Sequence, residues 1–198
     1  MKSKKFLSFF IFILLSILNI SYSYSIEPDV FVQSTVNRAH DALNNKFTKE
    51  EKIEKLKSIA KDTVDINGIS FYTLGSYRKT ITDDQKKEYI SLFELYFLKT
   101  FSSRLAEYSN PEIQVNSKKI LNENYTIVSS LLVATKQRPE VKIEWRIYTK
   151  NPDNPKIRDL IIEGLSLART QKEEFSSIIQ NNDGDINALF AALKEFIK

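Results

Sequence analysis

The 198-residue chain has no cysteine, one histidine, four glycines and one tryptophan. Without cysteine it has no disulfide framework, so its fold must rest on its core, and a Cys/His zinc cluster is excluded. A histidine-based catalytic triad would have to use His40, which sits in the polar helical stretch AHDALNN and reads as a solvent-facing residue. Four glycines leave no glycine-rich loop to cradle phosphates. The paired carboxylates Asp83-Asp84 and Glu173-Glu174 read as first-turn residues that favour the helix dipole, so catalysis is not the expected role.

The long apolar run is also short of a membrane span. Phe6 to Ile20 is fifteen residues, against roughly twenty for a spanning helix. It follows Lys2, Lys4 and Lys5 and is followed by Ser21, Ser23 and Ser25, the layout of a secretory leader cut after Ser23 or Ser25. The expected division is therefore residues 1–23 as signal peptide and 24–198 as one mature domain. Removing the three lysines lowers the net charge from +4 to +1, which argues against a nucleic-acid surface.

What is present is 42% hydrophobic and 12% aromatic residues, enough for a sizeable core. Pro28 to Asn45 reads as an amphipathic helix, and Thr48 with Glu51 as a capping box before Ile53, Leu56 and Ile59. A short helix precedes Gly75. Thr82 with Gln85 caps a helix of about 25 residues that carries Tyr89, Phe93, Phe97 and Phe101 at four-residue spacing on one face. From Glu112 the period becomes two, most cleanly in EVKIEWRIYT, where Val141, Ile143, Trp145 and Ile147 oppose Lys142, Glu144 and Arg146. Strands in EIQVNSKKIL, TIVSSLLVAT and PKIRDLIIEGLSL, joined by short turns, predict an antiparallel sheet. Helices return with Thr170 and Glu173 as a third capping box and end around Ile186 to Phe196. The fold class is α+β.

So much apolar and aromatic surface with so little polar chemistry points to an apolar ligand. Asp159-Leu160-Ile161-Ile162-Glu163-Gly164-Leu165-Ser166, then Thr170-Gln171, Phe175 and Ile178-Ile179, resembles the D-V-x-x-E-G-V-S pattern of the MlaC family of periplasmic phospholipid carriers. Leu74-Gly75, Tyr77-Arg78, Gln85, Tyr89, Phe93 and Phe101 resemble that family's L-G-x-W-R segment and aromatic helix. Val128-x-Ser130-x-Leu132 and Ile143-x-Trp145-Arg146 fall where its strands run. Pro155 and Tyr77 stand where the family more often has tryptophan.

The resemblance implies a curved antiparallel sheet packed on helices around a pocket for the acyl tails of one glycerophospholipid, with no cofactor, metal or covalent chemistry. It implies transfer through the periplasm between an outer-membrane lipoprotein complex of the MlaA kind and an inner-membrane ABC transporter complex of the MlaFEDB kind, in service of outer-membrane lipid asymmetry. The expected tail-lining residues are Phe71, Leu74, Tyr77, Phe93, Phe97 and Phe101 from the helices. From the strands they are Val128, Leu132, Val141, Ile143, Trp145, Leu160 and Ile162. Asp159, Glu163 and Ser166 are expected to serve the turn. The competing reading is a periplasmic scaffold with a solid core; a carboxylate enzyme is a third and weaker one.

Overall fold

The computed structural model describes residues 25–136 and 138–198; the expected leader at residues 1–23 lies outside them. Helix α1 (Pro28–Ala42) starts with proline at its first position, where no backbone N–H is needed. Helix α2 (Lys49–Thr63) begins in the expected capping box, with Thr48 accepting from the Glu51 N–H and Glu51 accepting from the Thr48 N–H. Asp65 caps α3 (Ile66–Thr73) through the Gly68 N–H, after which Gly75 adopts a left-handed conformation and a 3-10 turn, Gly75–Lys79, redirects the chain. Thr82 and Gln85 form the second capping box, at the start of α4 (Asp83–Leu105).

The sheet is a five-stranded antiparallel meander in the order β1 (Ile113–Asn122), β2 (Tyr125–Leu132), β3 (Val141–Tyr148), β4 (Lys156–Ile162) and β5 (Leu165–Ser166). Beyond β5 come α5 (Leu167–Gln180) and α6 (Ile186–Ile197). The chain just past α2 reaches the sheet, because Val64 bridges Ile157 and the Asp65 N–H donates to the Ile157 carbonyl at 2.9 Å. That contact sets α3 beside the start of β4.

One expected boundary is corrected. Helix α5 is capped by Ser166, whose hydroxyl accepts from the Arg169 N–H, and Thr170 instead donates to the Ser166 carbonyl. The helix therefore begins one turn before the anticipated Thr170–Glu173 box, and Glu173 pairs with Arg169 along the helix rather than capping it. Serine caps as well as threonine does, and here Ser166 is additionally fixed by Asp159, which decides between the two candidates.

Strand alternation places Thr126, Val128, Ser130 and Leu132 of β2 and Ile143, Trp145 and Ile147 of β3 on the buried face. One continuous core joins these to Val32 and Val36 of α1, Tyr89, Phe93 and Leu98 of α4, Phe175 and Ile179 of α5 and Leu189, Phe190 and Leu193 of α6. A smaller cluster, Ala42, Leu43, Leu56 and Ala106, ties α1 and α2 to the end of α4.

Candidate functional site

The cross-strand register arranges the buried sheet face in rows. Ile113, Leu132 and Val141 lie in one row, and Val115, Ser130, Ile143 and Ile162 in the next. Val128, Trp145 and Leu160 form the third, and Thr126 and Ile147 with Ile157 the fourth. Burial rises along this series. Ile147 and Val128 are fully covered, whereas Ile113, Val115, Val141, Leu160 and Ile162 are half-buried. The sheet thus has a sealed end and an end where apolar side chains remain partly uncovered.

Helix α4 shows the same asymmetry. Tyr89 and Phe93 are sealed, while Phe97 and Phe101 are half-buried against the same core. The four rings form a ladder, with centroids 5.9 Å apart for Tyr89–Phe93, 6.2 Å for Phe93–Phe97 and 5.5 Å for Phe97–Phe101. At the sealed end Phe175 meets Tyr89 and Phe93 edge-on, and Phe190 stacks on Tyr89. The Tyr89 hydroxyl is paired with the Thr73 hydroxyl at 2.8 Å, and burial pushes its pKa well above the ordinary phenol value. The short link 106–112 joins the open end of this ladder to Ile113, in the half-buried row of the sheet.

The indole and hydroxyl at the middle of the buried sheet face bond to each other and to the backbone. Trp145 Nε1 donates to Ser130 Oγ at 2.8 Å, and Ser130 Oγ donates to the Ile143 carbonyl at 3.3 Å. What the face presents is therefore hydrocarbon and aromatic ring, suited to hold alkyl chains and to select nothing finer. Among the described residues no group of His, Cys, Asp and Glu could hold a metal ion. His40 is exposed, and its Nδ1–H donates to the Pro111 carbonyl at 3.1 Å, so it joins α1 to the link before β1.

Of the thirteen residues expected to line a pocket, Leu74, Phe93, Val128, Leu132, Ile143 and Trp145 are buried in the continuous core. Tyr77, Phe97, Phe101, Val141 and Leu160 pack against it half-buried, and Ile162 is half-buried beside Ile143. Phe71 stands apart, 39% exposed on α3. Among the expected turn residues, Glu163 and Gly164 both have positive φ and close the β4–β5 hairpin. Glu163 also accepts from the Lys142 N–H and donates its own N–H to the Lys142 carbonyl, which ties that turn to the first residues of β3. Asp159, 4% exposed, accepts from the Ser166 hydroxyl at 2.6 Å and the Ala168 N–H at 3.0 Å.

The opposite sheet face carries a feature that the sequence did not reveal. Arg158 donates through Nε and Nη2 to Asp65, through Nη1 to the Tyr125 hydroxyl, and lies 3.6 Å over the Tyr148 ring. Burial works against its charge, but the bonds to Tyr125 and Asp65 outweigh that and hold its pKa above the ordinary arginine value. Gly68 is required here: a Cβ would sit 2.5 Å from Asp65 Oδ2 and 2.9 Å from Arg158 Nε. Beside this clasp a concavity of about 420 Å³ is lined by Tyr72, Tyr125, Arg146 and Arg158, over Ile69 and Leu121. The only sequence signal was an arginine within an apolar strand; its partners become visible only through register.

Comparison with known proteins agrees with this architecture. No curated protein sequence matches the chain. A solved structure, the phospholipid-binding protein from Ralstonia solanacearum in complex with a phospholipid, superposes with a TM-score of 0.73 at 18% identity, covering 87% of this chain and 97% of that one. At that identity the likeness establishes a shared fold. The family model for the MlaC protein matches residues 33–195, nearly the whole described chain, and the chain belongs to the MlaC family.

Proposed function

We propose that this protein is a periplasmic phospholipid carrier that holds the acyl tails of one glycerophospholipid between the aromatic ladder of α4 and the buried face of the sheet. The observation that carries the reading is the shared gradient. Both walls are sealed at one end and half-buried at the other, and the Trp145 indole and Ser130 hydroxyl of the sheet are already paired. Tails enter at the end of Val141, Ile162, Phe97 and Phe101 and advance by parting the layers there. Family membership and the lipid in the Ralstonia solanacearum protein support the same reading.

Two tails of about fifteen carbons represent on the order of 20 kcal/mol of apolar surface kept from water, at roughly 0.8 kcal/mol per CH₂. A protein that offers hydrocarbon in place of the bilayer makes transfer nearly neutral. Small differences at each docking partner then set direction. The partners in this reading are an outer-membrane lipoprotein complex and an inner-membrane ABC transporter complex, reached after residues 1–23 direct export and are removed. In this reading no bond is made or broken.

The test is lipid extraction and mass spectrometry on protein exported in a bacterial host and purified without detergent. About one phospholipid per chain is expected, with occupancy reduced in Val141→Trp. A folded protein that carries no lipid and refuses added phospholipid overturns the proposal and favours a solid-cored scaffold.

A further inference from the structure

Arg146 projects from the sheet face opposite Trp145 and Ile147, into the concavity beside the Arg158 clasp. Its charged neighbour is Asp159, with Nη1 at 3.5 Å from Oδ2. Asp159 has partners besides it, because the Ser166 hydroxyl and the Ala168 N–H each bond one of its oxygens. The converse does not hold. Among the described residues Arg146 has this one long ion pair and no hydrogen bond, although a guanidinium carries five N–H donors. Its side chain is 39% exposed, so the free donors are accessible from the concavity.

The surroundings define what would complete it. Arg158 is immobilised by Asp65, Tyr125 and Tyr148 and contributes a fixed wall whose charge Asp65 balances. Asp65 balances Arg158 and Asp159 stands opposite Arg146, so what the recess offers an anion is the unused donors of Arg146 rather than an excess of charge. Tyr72 and Tyr125 are also in the lining, and Ile69, Leu121 and Ala168 make an apolar side. A planar fork with unused donors, facing a half-apolar recess, matches a phosphate oxygen pair bidentately.

We propose that this concavity binds a phosphate group carried on an apolar or glycerol stem, with Arg146 as the ligating residue and Arg158 as the fixed wall. The site lies on the opposite sheet face from the tail-holding rows, so it goes beyond the carrier reading and does not depend on it. Two sources share the required chemistry, a lipid headgroup and a soluble glycerophosphate ester.

The experiment is calorimetric titration of the full chain with dihexanoylphosphatidylglycerol and, separately, with glycerol 3-phosphate, for the natural protein and for Arg146→Gln, Arg146→Lys and Leu121→Glu. Loss of the charge-assisted bonds should weaken binding of at least one probe about tenfold in Arg146→Gln, with partial recovery in Arg146→Lys. Leu121→Glu adds an anion to an exposed position of the lining and should weaken binding similarly without disturbing the core. Arg146-dependent binding of both probes identifies the phosphate ester itself as sufficient. Arg146-dependent binding of the lipid alone assigns the site to a headgroup on its stem. Val141→Trp, which acts on the other face, should leave that dependence intact. The proposal is overturned if neither probe binds, or if both bind equally to the natural protein and to folded Arg146→Gln. Should circular dichroism show Arg146→Gln unfolded, unchanged binding by Leu121→Glu overturns it instead. Copurified lipid, measured on the same preparations, reports on the carrier reading independently.

Discussion

Ser130→Ala isolates one bond at the middle of the buried sheet face. Ser130 is 1% exposed and accepts from the Trp145 indole at 2.8 Å. Removing the hydroxyl leaves the indole N–H with no partner in a desolvated position, which costs about 1–3 kcal/mol, while the Ile143 carbonyl loses a weaker contact at 3.3 Å. Replacing both residues, as Ser130→Ala with Trp145→Phe, removes the orphaned donor together with its acceptor. The double variant should then lose less than the two single losses combined, with a coupling of about 1–2 kcal/mol. Urea unfolding followed by far-UV circular dichroism is the assay, because the chain's one tryptophan is itself replaced in two of the variants. A Ser130→Ala loss below about 0.5 kcal/mol, or strictly additive losses, would refute the claim that this face is closed to water and internally satisfied.

Asp159→Ala should destabilise by about 3–5 kcal/mol, since it orphans the Ala168 N–H and the Ser166 hydroxyl in a buried position and frees Arg146; thermal melts of the variant and of Arg146→Gln separate the helix-start contribution from the charge. Gly68→Ala should lower stability by more than Gly164→Ala, because the first drives a methyl into the Asp65–Arg158 pair whereas the second meets only the backbone cost of φ +82°, about 1–2 kcal/mol; denaturant midpoints rank the two. Tyr89 ionises less readily in the fold than in the unfolded chain, so its contribution is full below the ordinary phenol pKa of 10.0 and is lost progressively as pH rises above it. The natural protein should therefore lose stability faster than Tyr89→Phe in alkali, by about 1.4 kcal/mol per pH unit, and parallel urea titrations above that pH check it.

The elements were legible because their local codes are strong and agree with one another. Two capping boxes, at Thr48–Glu51 and Thr82–Gln85, opened helices where expected, and the clean alternation of Val141, Ile143, Trp145 and Ile147 gave the buried face of β3. The third box failed because two residues four apart, Ser166 and Thr170, both carry capping chemistry, and the choice was made by Asp159 across the hairpin, a tertiary contact no local pattern encodes. In β2 the expected Val128 and Leu132 do lie on the buried face, with Thr126 and Ser130 beside them, while the equally apolar Ile127 and Leu131 do not, a parity that pairing with β3 fixes. The Arg158 clasp was hidden for the same reason, since Asp65, Tyr125 and Tyr148 converge on it from three separate stretches of chain.

A pocket for long alkyl chains faces a conflict that the burial gradient resolves. An apolar cavity large enough for two tails would cost the empty protein the contacts its lining atoms lose. A core fully sealed along its length would hold no tails at all. Here the cost is divided by position. Tyr89, Phe93, Phe175 and Phe190 interlock at one end, where Thr73 also ties the Tyr89 hydroxyl, and supply rigidity that binding does not disturb. At the other end Phe97 and Phe101 stack on each other and, like Ile113, Val115 and Val141 of the sheet, are only half-buried against the core, so fewer contacts hold this end than the sealed one. Tail methylenes would replace those contacts one for one. A substitution that seals the open end, such as Val141→Trp, should therefore raise the stability of the lipid-free protein or leave it unchanged while lowering lipid occupancy. The same residue placed at Ile147, in the fully covered row at the other end, should instead cost about 1–3 kcal/mol of stability by overpacking. If both tryptophans destabilise equally, the gradient has no functional meaning and the two ends are one continuous core.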